Sequence, residues 1–165
     1  IAEVPKDEKI VIWAKFNAEI DDIIHALSLE YGSAAVVRYD GMVAPRHRHA
    51  QVMRFNSDAR FFVGNLATGS MGIDLTAASY VIYYSNSFKM SQKLQSEDRC
   101  HRLGQKKSVT YFDLQSDARI DYIINRCLEK RKDFIREFKE KLARARERYG
   151  NREGDRKMVK MLEKL

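Results

Sequence analysis

The sequence is poor in cysteine, proline and tryptophan, with two, two and one in 165 residues. Cys100 and Cys127 stand apart without CxxC spacing. That excludes a thiolate zinc site and a disulfide framework and points to a reducing, intracellular setting. Histidine is scarce too, at positions 25, 47, 49 and 101. In "RHRH" (46–49) the two histidines lie two apart, off a common helix face, with no carboxylate or cysteine beside them, so no metal site is expected. No apolar run nears the ~18–20 residues of a membrane span, and no membrane partner is expected. Initiator methionine and signal-peptide pattern are both missing; the opening "IAEVPKDEKIVIW" reads as the middle of a longer protein. Also missing is G-x-x-x-x-G-K-[ST], the loop that cradles phosphates and binds magnesium. No acidic pair follows an apolar strand, since Asp7-Glu8 precedes the first one.

What is present is a chain with 44% hydrophobic residues, enough for one domain with a real core. The net charge of +7 is unevenly placed. Residues 126–165 hold 15 lysines and arginines against 8 acidic residues, leaving 15 of each in residues 1–125. A neutral body with a basic tail suggests acidic partners, nucleic acid first; a solvated Lys/Arg-rich helix is the equal alternative.

Apolar β-branched runs alternate with helical patterns. Strands are expected at "KIVIWAKF" (9–16), "AAVVRYDG" (34–41), "RFFVGNL" (60–66), "YVIYYS" (80–85) and "VTYFDL" (109–114). A helix capped by Asn17 carries Ile20, Ile23, Ile24, Leu27 and Tyr31 and stops at Gly32. Residues 44–56, with Pro45 early, predict a second helix, and residues 89–104 a third, ending on Gly104. This alternation means a parallel sheet covered on both faces, with ligands at the carboxyl ends of the strands. From Arg119 the pattern becomes one amphipathic stripe through Ile120, Ile124, Cys127, Phe134, Phe138, Leu142, Ala145 and Tyr149. It breaks at "GNREGD" (150–155), and a short helix restarts over Met158–Leu165. The division expected is residues 1–125 as an α/β domain and 126–165 as a basic helical extension.

Three stretches carry candidate chemistry. In "QSEDRCHRLGQ" (95–105), Gln95, Arg99 and Arg102 share one face if the segment is helical. Arginine suits planar, bidentate contact with phosphate, and Asp98 stands four residues before Arg102 as its expected partner. A surface helix with charge pairs is the bland alternative. In "ATGSMGIDL" (67–75), Gly69 and Gly72 permit close backbone approach to a phosphate or another domain; a plain strand–helix turn would look the same. In "RYDGMVAPRHRH" (38–49), Asp40 and Gly41 end a strand and Arg46 or Arg48 opens a helix, whose amides suit a nucleic-acid phosphate as readily as they make an ordinary basic first turn.

Taken in order, "IVIWAKF", "RYDG…R…F", "GNLATGSMGIDLTAASYVIYYS" and "QSEDRCHRLGQKKSVTYFDL" resemble the second RecA-like lobe of helicase superfamily two, and within it the Swi/Snf type of ATP-dependent DNA translocase. The likeness spans about residues 9–130, and Q-x-x-D-R-x-x-R-x-G-Q is its most specific block. It implies a RecA-like parallel sheet flanked by helices and a DNA-dependent ATPase in the intact two-lobe protein. Arg102 and Arg99 would be arginine fingers, with Gln95 orienting the γ-phosphate or the attacking water. Asp74 and Gly72 would lie by the nucleotide or the contact between lobes. Gly41, Arg46, Arg48, Asn65, Thr68 and Gly69 would meet the backbone of double-stranded DNA. ATP and Mg2+ would be held mainly by the first lobe, whose phosphate loop this sequence lacks. A strand-separating helicase of the same superfamily and a non-catalytic DNA-binding or scaffold module are the alternatives. The chain departs from the family at Thr68-Gly69-Ser70 (usually Ala-Gly-Gly), at Asp74 (usually Asn) and at Phe88-Lys89-Met90 (usually Trp-Asn-Pro). These departures point to a bacterial or viral branch, hence a bacterial or virus-infected cytoplasm over a nucleus.

Overall fold

The computed structural model describes residues 1, 4–69, 72–85, 90–102, 105–114, 126, 134–151, 153 and 156. Five short apolar runs form one parallel sheet: β1 (Lys9–Ala14), β2 (Val36–Tyr39), β3 (Phe61–Asn65), β4 (Ala78–Tyr83) and β5 (Thr110–Asp113). Their spatial order is β2-β3-β1-β4-β5. The connection from β3 to β4 therefore carries the chain across β1 from one side of the sheet to the other.

Period-two alternation decides what each face buries. Ile10, Ile12, Phe61, Val63 and Ile82 pack with Ile20 and Leu27 of α1 (Asn17–Tyr31). Val11, Trp13, Phe62, Val81 and Tyr83 face the other way, toward Val52 and Phe55 of α2 (Pro45–Ser57) and Cys100 of α4 (Met90–Cys100). A one-turn helix, α3 (Leu66–Gly69), follows β3. Phe62 is the hub of the second face, with ring centroids 5.7 Å from Trp13, 5.2 Å from Tyr39 and 5.3 Å from Phe55. Such pairs add about 0.5–1.5 kcal/mol each beyond burial.

One helix end differs from the expected capping. Asn17 is the first residue of α1, and Phe16 occupies the cap position. Its N–H is taken by the Glu19 carboxylate at 3.0 Å, so a residue three positions into the chain does the capping work. Gly32 ends α1 as expected, at φ 85°, donating its N–H to Ser28 O at 3.0 Å. The carbonyls at the end of α2 are gathered by Lys9, whose ammonium donates to Phe55 O, to Ser57 O at 3.0 Å and to Ala59 O at 2.8 Å.

Contacts divide the chain into Ile1–Ser87 with Ser91–Leu114, and Phe88–Met90 with Gln115–Leu165. In the second unit, the C-terminal helix Phe134–Tyr149 is described. It stops at Gly150, the first residue of "GNREGD", with φ 78° and an N–H donated to Arg146 O at 2.8 Å. Most of the stripe before Phe134 and the short helix after Arg156 lie outside the described residues.

Candidate functional site

The topology splits the sequence-derived candidates between opposite edges of the sheet. At the carboxyl edge lie Gly41, Arg46, Arg48, Asn65, Thr68 and Gly69, which end or follow β2 and β3. Helix α4 runs back from that edge, so Arg99 and Arg102 reach the amino edge, beside Asp74 and Gly72 in the approach to β4. The expectation of one ligand crevice at the carboxyl ends thus fails for the arginines. The cause is the crossover: a parallel strand can be entered only after the chain has returned to the amino edge.

Helix α4 is seated by a chain of contacts on one side. Lys93 pairs with Asp113 at 2.6 Å and lies over the Tyr83 ring at 4.6 Å. The Tyr83 hydroxyl and Ser96 Oγ share a hydrogen bond of 2.8 Å, and Ser96 Oγ donates to Lys93 O at 2.7 Å. Burial raises the Tyr83 phenol far above its ordinary range and pushes the Cys100 thiol up to about 12, so both stay neutral and serve as packing. With residues 93, 96 and 100 turned inward, Gln95 and Asp98 are exposed and Arg99 is half-buried.

Arg102 is exposed but does not share their helical face. The helix ends at Cys100, and His101 and Arg102 form a bend. The reason is tertiary capture of the last carbonyls. Leu75 N–H donates to Arg99 O at 3.1 Å, and the Gln105 amide donates to Cys100 O at 3.2 Å. These bonds replace the ones that further helical turns would make.

The loop facing Arg102 is a tight turn. Asp74 Oδ1 accepts Thr76 N–H at 3.0 Å and Thr76 Oγ1–H at 2.8 Å, while Asn56 Nδ2 donates to Asp74 O at 3.3 Å. The Asp74 carboxyl is held below its ordinary value, first by the Thr76 N–H, then by the Thr76 hydroxyl, with the Arg102 charge adding to both. Asp74 is thus a carboxylate that feels the Arg102 charge. Gly72 sits at φ 51° with open space around it, a backbone shape that disfavours any side chain.

At the carboxyl edge, several candidates are committed to holding the loop together. Asp40 is fully buried; it accepts from Arg38 Nε at 2.8 Å, pairs with Arg38 again at 2.6 Å, and accepts Met42 N–H at 2.9 Å. Arg48 Nε donates to Val43 O at 3.0 Å, bracing the same loop. Arg46 is exposed and donates to His47 Nε2 at 3.1 Å. Asn65 donates to Lys15 O at 2.7 Å and accepts Ala67 N–H at 2.8 Å, tying β3 to β1 and starting α3, the turn that carries Thr68 and Gly69. Gly41 is exposed, and a methyl added there would meet nothing within 4 Å. Sequence reasoning missed Lys15 and Phe16, which lie on this edge with the ammonium 4.9 Å from an exposed ring. It also missed Gln105, although the signature block contains it.

The geometry offers one exposed guanidinium beside an ionised carboxylate at the amino edge, and an exposed loop with a basic helix start at the other. An exposed guanidinium of this kind can bind a phosphate group through its planar fork. Among the described residues no group of three or more His, Cys, Asp or Glu side chains is placed to hold a metal. Nor is any helix long and apolar enough to cross a membrane.

Residues 1–104 match the helicase conserved C-terminal domain. The human "Lymphoid-specific helicase" is 32% identical over 77% of this chain, and "Helicase domino" of Drosophila melanogaster is 35% identical over 74%. This chain spans 15% and 4% of their lengths. The crystal structure of the C-terminal part of the Fun30 ATPase domain superposes with a TM-score of 0.67 at 31% identity, covering 73% of this chain and 39% of that one. Domain 2 of the Mss116p DEAD-box helicase, bound to an RNA duplex, superposes at 0.60 with 19% identity over 75% of this chain and 47% of that one, a likeness of fold alone. The relatives correct one expectation, that of a bacterial or virus-infected cytoplasm. They are eukaryotic, and one is named "Protein CHROMATIN REMODELING 4". The departures at Thr68, Ser70, Asp74 and Phe88–Met90 are a few positions outside the five strands' apolar runs and do not carry origin. The chain belongs to the helicase conserved C-terminal domain family, as a second RecA-like lobe of the Swi/Snf type within helicase superfamily two.

Proposed function

We propose that the chain is the C-terminal motor lobe of an ATP-dependent double-stranded-DNA translocase, completing the active site of a first lobe with Arg102 and Arg99. The observation that carries this is Arg102. Its guanidinium is exposed beyond a helix that Lys93, Ser96 and Cys100 lock to the sheet, next to an ionised Asp74. A rigidly seated, exposed guanidinium suits charge that develops on a transferring phosphoryl group.

In this reading ATP is the substrate, held by the first lobe together with Mg2+. Lobe closure brings Arg102 and Arg99 to the γ-phosphate, where the planar fork matches phosphate oxygens. Gln95, exposed on α4, orients the phosphate or water. Asp74 and Gly72 line the same edge. The carboxyl edge, with Gly41, Arg46, Asn65, Thr68 and Gly69, meets the DNA backbone, and Arg48 shapes that loop from within. The two jobs sit at opposite edges of one sheet, so closing at one edge swings the other along the duplex. The basic segment 126–165 adds sequence-independent attraction to phosphate. The likeness to "Protein CHROMATIN REMODELING 4" supports a nuclear, DNA-bound setting.

The test is displacement of a third strand from a DNA triplex by the full two-lobe protein with ATP. Displacement without separation of a plain duplex is expected. Separation of the plain duplex would favour a strand-separating helicase, and ATP-independent binding alone would favour a scaffold.

A further inference from the structure

Arg102 lies past the end of α4, so helical geometry does not fix where it stands. What fixes it is Gln105. Its backbone N–H donates to Arg102 O at 3.0 Å. Its side-chain amide donates to Thr76 O at 2.9 Å, Ala78 O at 2.9 Å and Cys100 O at 3.2 Å. Its Oε1 accepts Lys107 N–H at 2.9 Å. Two N–H bonds serve three carbonyls, so one is shared, and the amide has no N–H left to donate to a ligand. The three carbonyls come from separate segments: the turn that holds Asp74, the first residue of β4, and the last residue of α4.

We propose that Gln105 is a positioning residue for the arginine pair, setting the distance between Arg102 and the Asp74 turn through the carbonyls it bridges. This rests on the motor-lobe reading above. The linkage runs through single contacts: Asp74 is held by Thr76, Thr76 O by the Gln105 amide, and the Gln105 N–H by Arg102 O. Donation is the property that matters. Lys9 shows the same solution elsewhere in the chain, gathering the carbonyls of Phe55, Ser57 and Ala59 with one ammonium. Displacement of a catalytic group by about 1 Å costs on the order of 10²-fold in rate, so loss of this bridge reads out in turnover.

The experiment uses the full two-lobe protein. Gln105→Glu keeps length and the acceptor for Lys107 but faces three carbonyls with no donor. Gln105→Met keeps length without adding charge. Gln105→Lys restores donation. For each, DNA-stimulated kcat, KM for ATP, affinity for ADP with aluminium fluoride, and thermal midpoint are measured. Gln105→Glu and Gln105→Met are expected to lose at least tenfold in kcat and in fluoride-complex affinity, with KM changed less than about threefold. Gln105→Lys is expected within about threefold of the parent in kcat. A lowered thermal midpoint with normal kcat per folded molecule would make Gln105 a stability element and overturn the proposal. So would equal losses in the Met and Lys variants. Arg102→Ala is assayed alongside. If it loses turnover while Gln105→Glu does not, only the positioning role is lost; if Arg102→Ala turns over normally, the finger reading fails and this proposal with it.

Discussion

Gly64→Ala is the substitution whose cost the structure fixes most closely. Gly64 lies in β3 opposite Tyr39 of β2 and Trp13 of β1. A methyl there would stand 2.5 Å from the Tyr39 carbonyl oxygen and 3.2 Å from the Trp13 ring. A comfortable approach is about 3.5 Å, so the strand must yield by roughly 1 Å. The obstacle is backbone in a hydrogen-bonded ladder, so no rotamer change relieves it. Overpacking that side chains can relax costs about 1–3 kcal/mol; this site belongs at or above the top of that range. Relief of glycine's backbone entropy returns at most about 1 kcal/mol. A net loss of about 2–3 kcal/mol is expected, a fall in midpoint of roughly 4–12 °C for a chain this long. Gly41→Ala is the control, since its methyl meets nothing within 4 Å and its φ is ordinary. Urea and thermal unfolding followed by circular dichroism provide the assay. Because Tyr39 leads directly into the buried Asp40, hydrogen exchange at Met42 N–H should also quicken in Gly64→Ala. Equal stability of the two alanine variants would refute the close-approach argument.

The purified 165-residue chain is expected to fold yet hydrolyse no ATP above background, because its sequence has no phosphate loop; turnover that disappears with Arg102→Ala would contradict the half-site. Truncation near residue 130 should remove most DNA affinity and flatten its salt dependence, since residues 126–165 carry the whole net charge; equal affinity and slope in both forms would reject a role for the tail. Asp74 has a folded-state pKa below its unfolded value, so its contribution to stability is complete above the unfolded value and disappears as pH falls through the folded one. Asp74→Asn should therefore flatten the acid limb of stability below about pH 4 relative to the parent. Glu8, lowered by Lys107 and Ser79, remains in both proteins and cancels in the difference; identical acid limbs would refute the Asp74 assignment.

The strands were legible because each is a short β-branched or aromatic run, and the observed limits fall within two residues of those expected at every end. The resemblance also located the amino-edge cluster, since Arg99, Arg102 and Asp74 lie in its quoted blocks. What could not be read was tertiary. The end of α4 at Cys100 depends on Leu75 and Gln105 capturing its carbonyls, and no local signal announces that. Arg48 looked like a ligand for phosphate, yet it braces the Val43 carbonyl. Separation of the two candidate groups to opposite edges follows from strand order, and nothing in the sequence gives the order β2-β3-β1-β4-β5. The inferred bacterial or viral origin failed because it leaned on a few departures from the family pattern, while the relatives matched over most of the chain are eukaryotic.

The central claim is that Arg102 acts on charge developing during phosphoryl transfer. Its most direct test is single-turnover ATP hydrolysis by the full two-lobe protein with saturating DNA, comparing the parent with Arg102→Ala and measuring ATP Kd in the same samples. A loss of ~10³-fold or more in the hydrolysis rate with little change in Kd is expected, the scale of arginine fingers generally. Arg102→Lys should recover little, because it keeps the charge but not the planar fork. A near-normal hydrolysis rate for folded Arg102→Ala with DNA affinity lost would contradict the claim and make this edge a DNA contact.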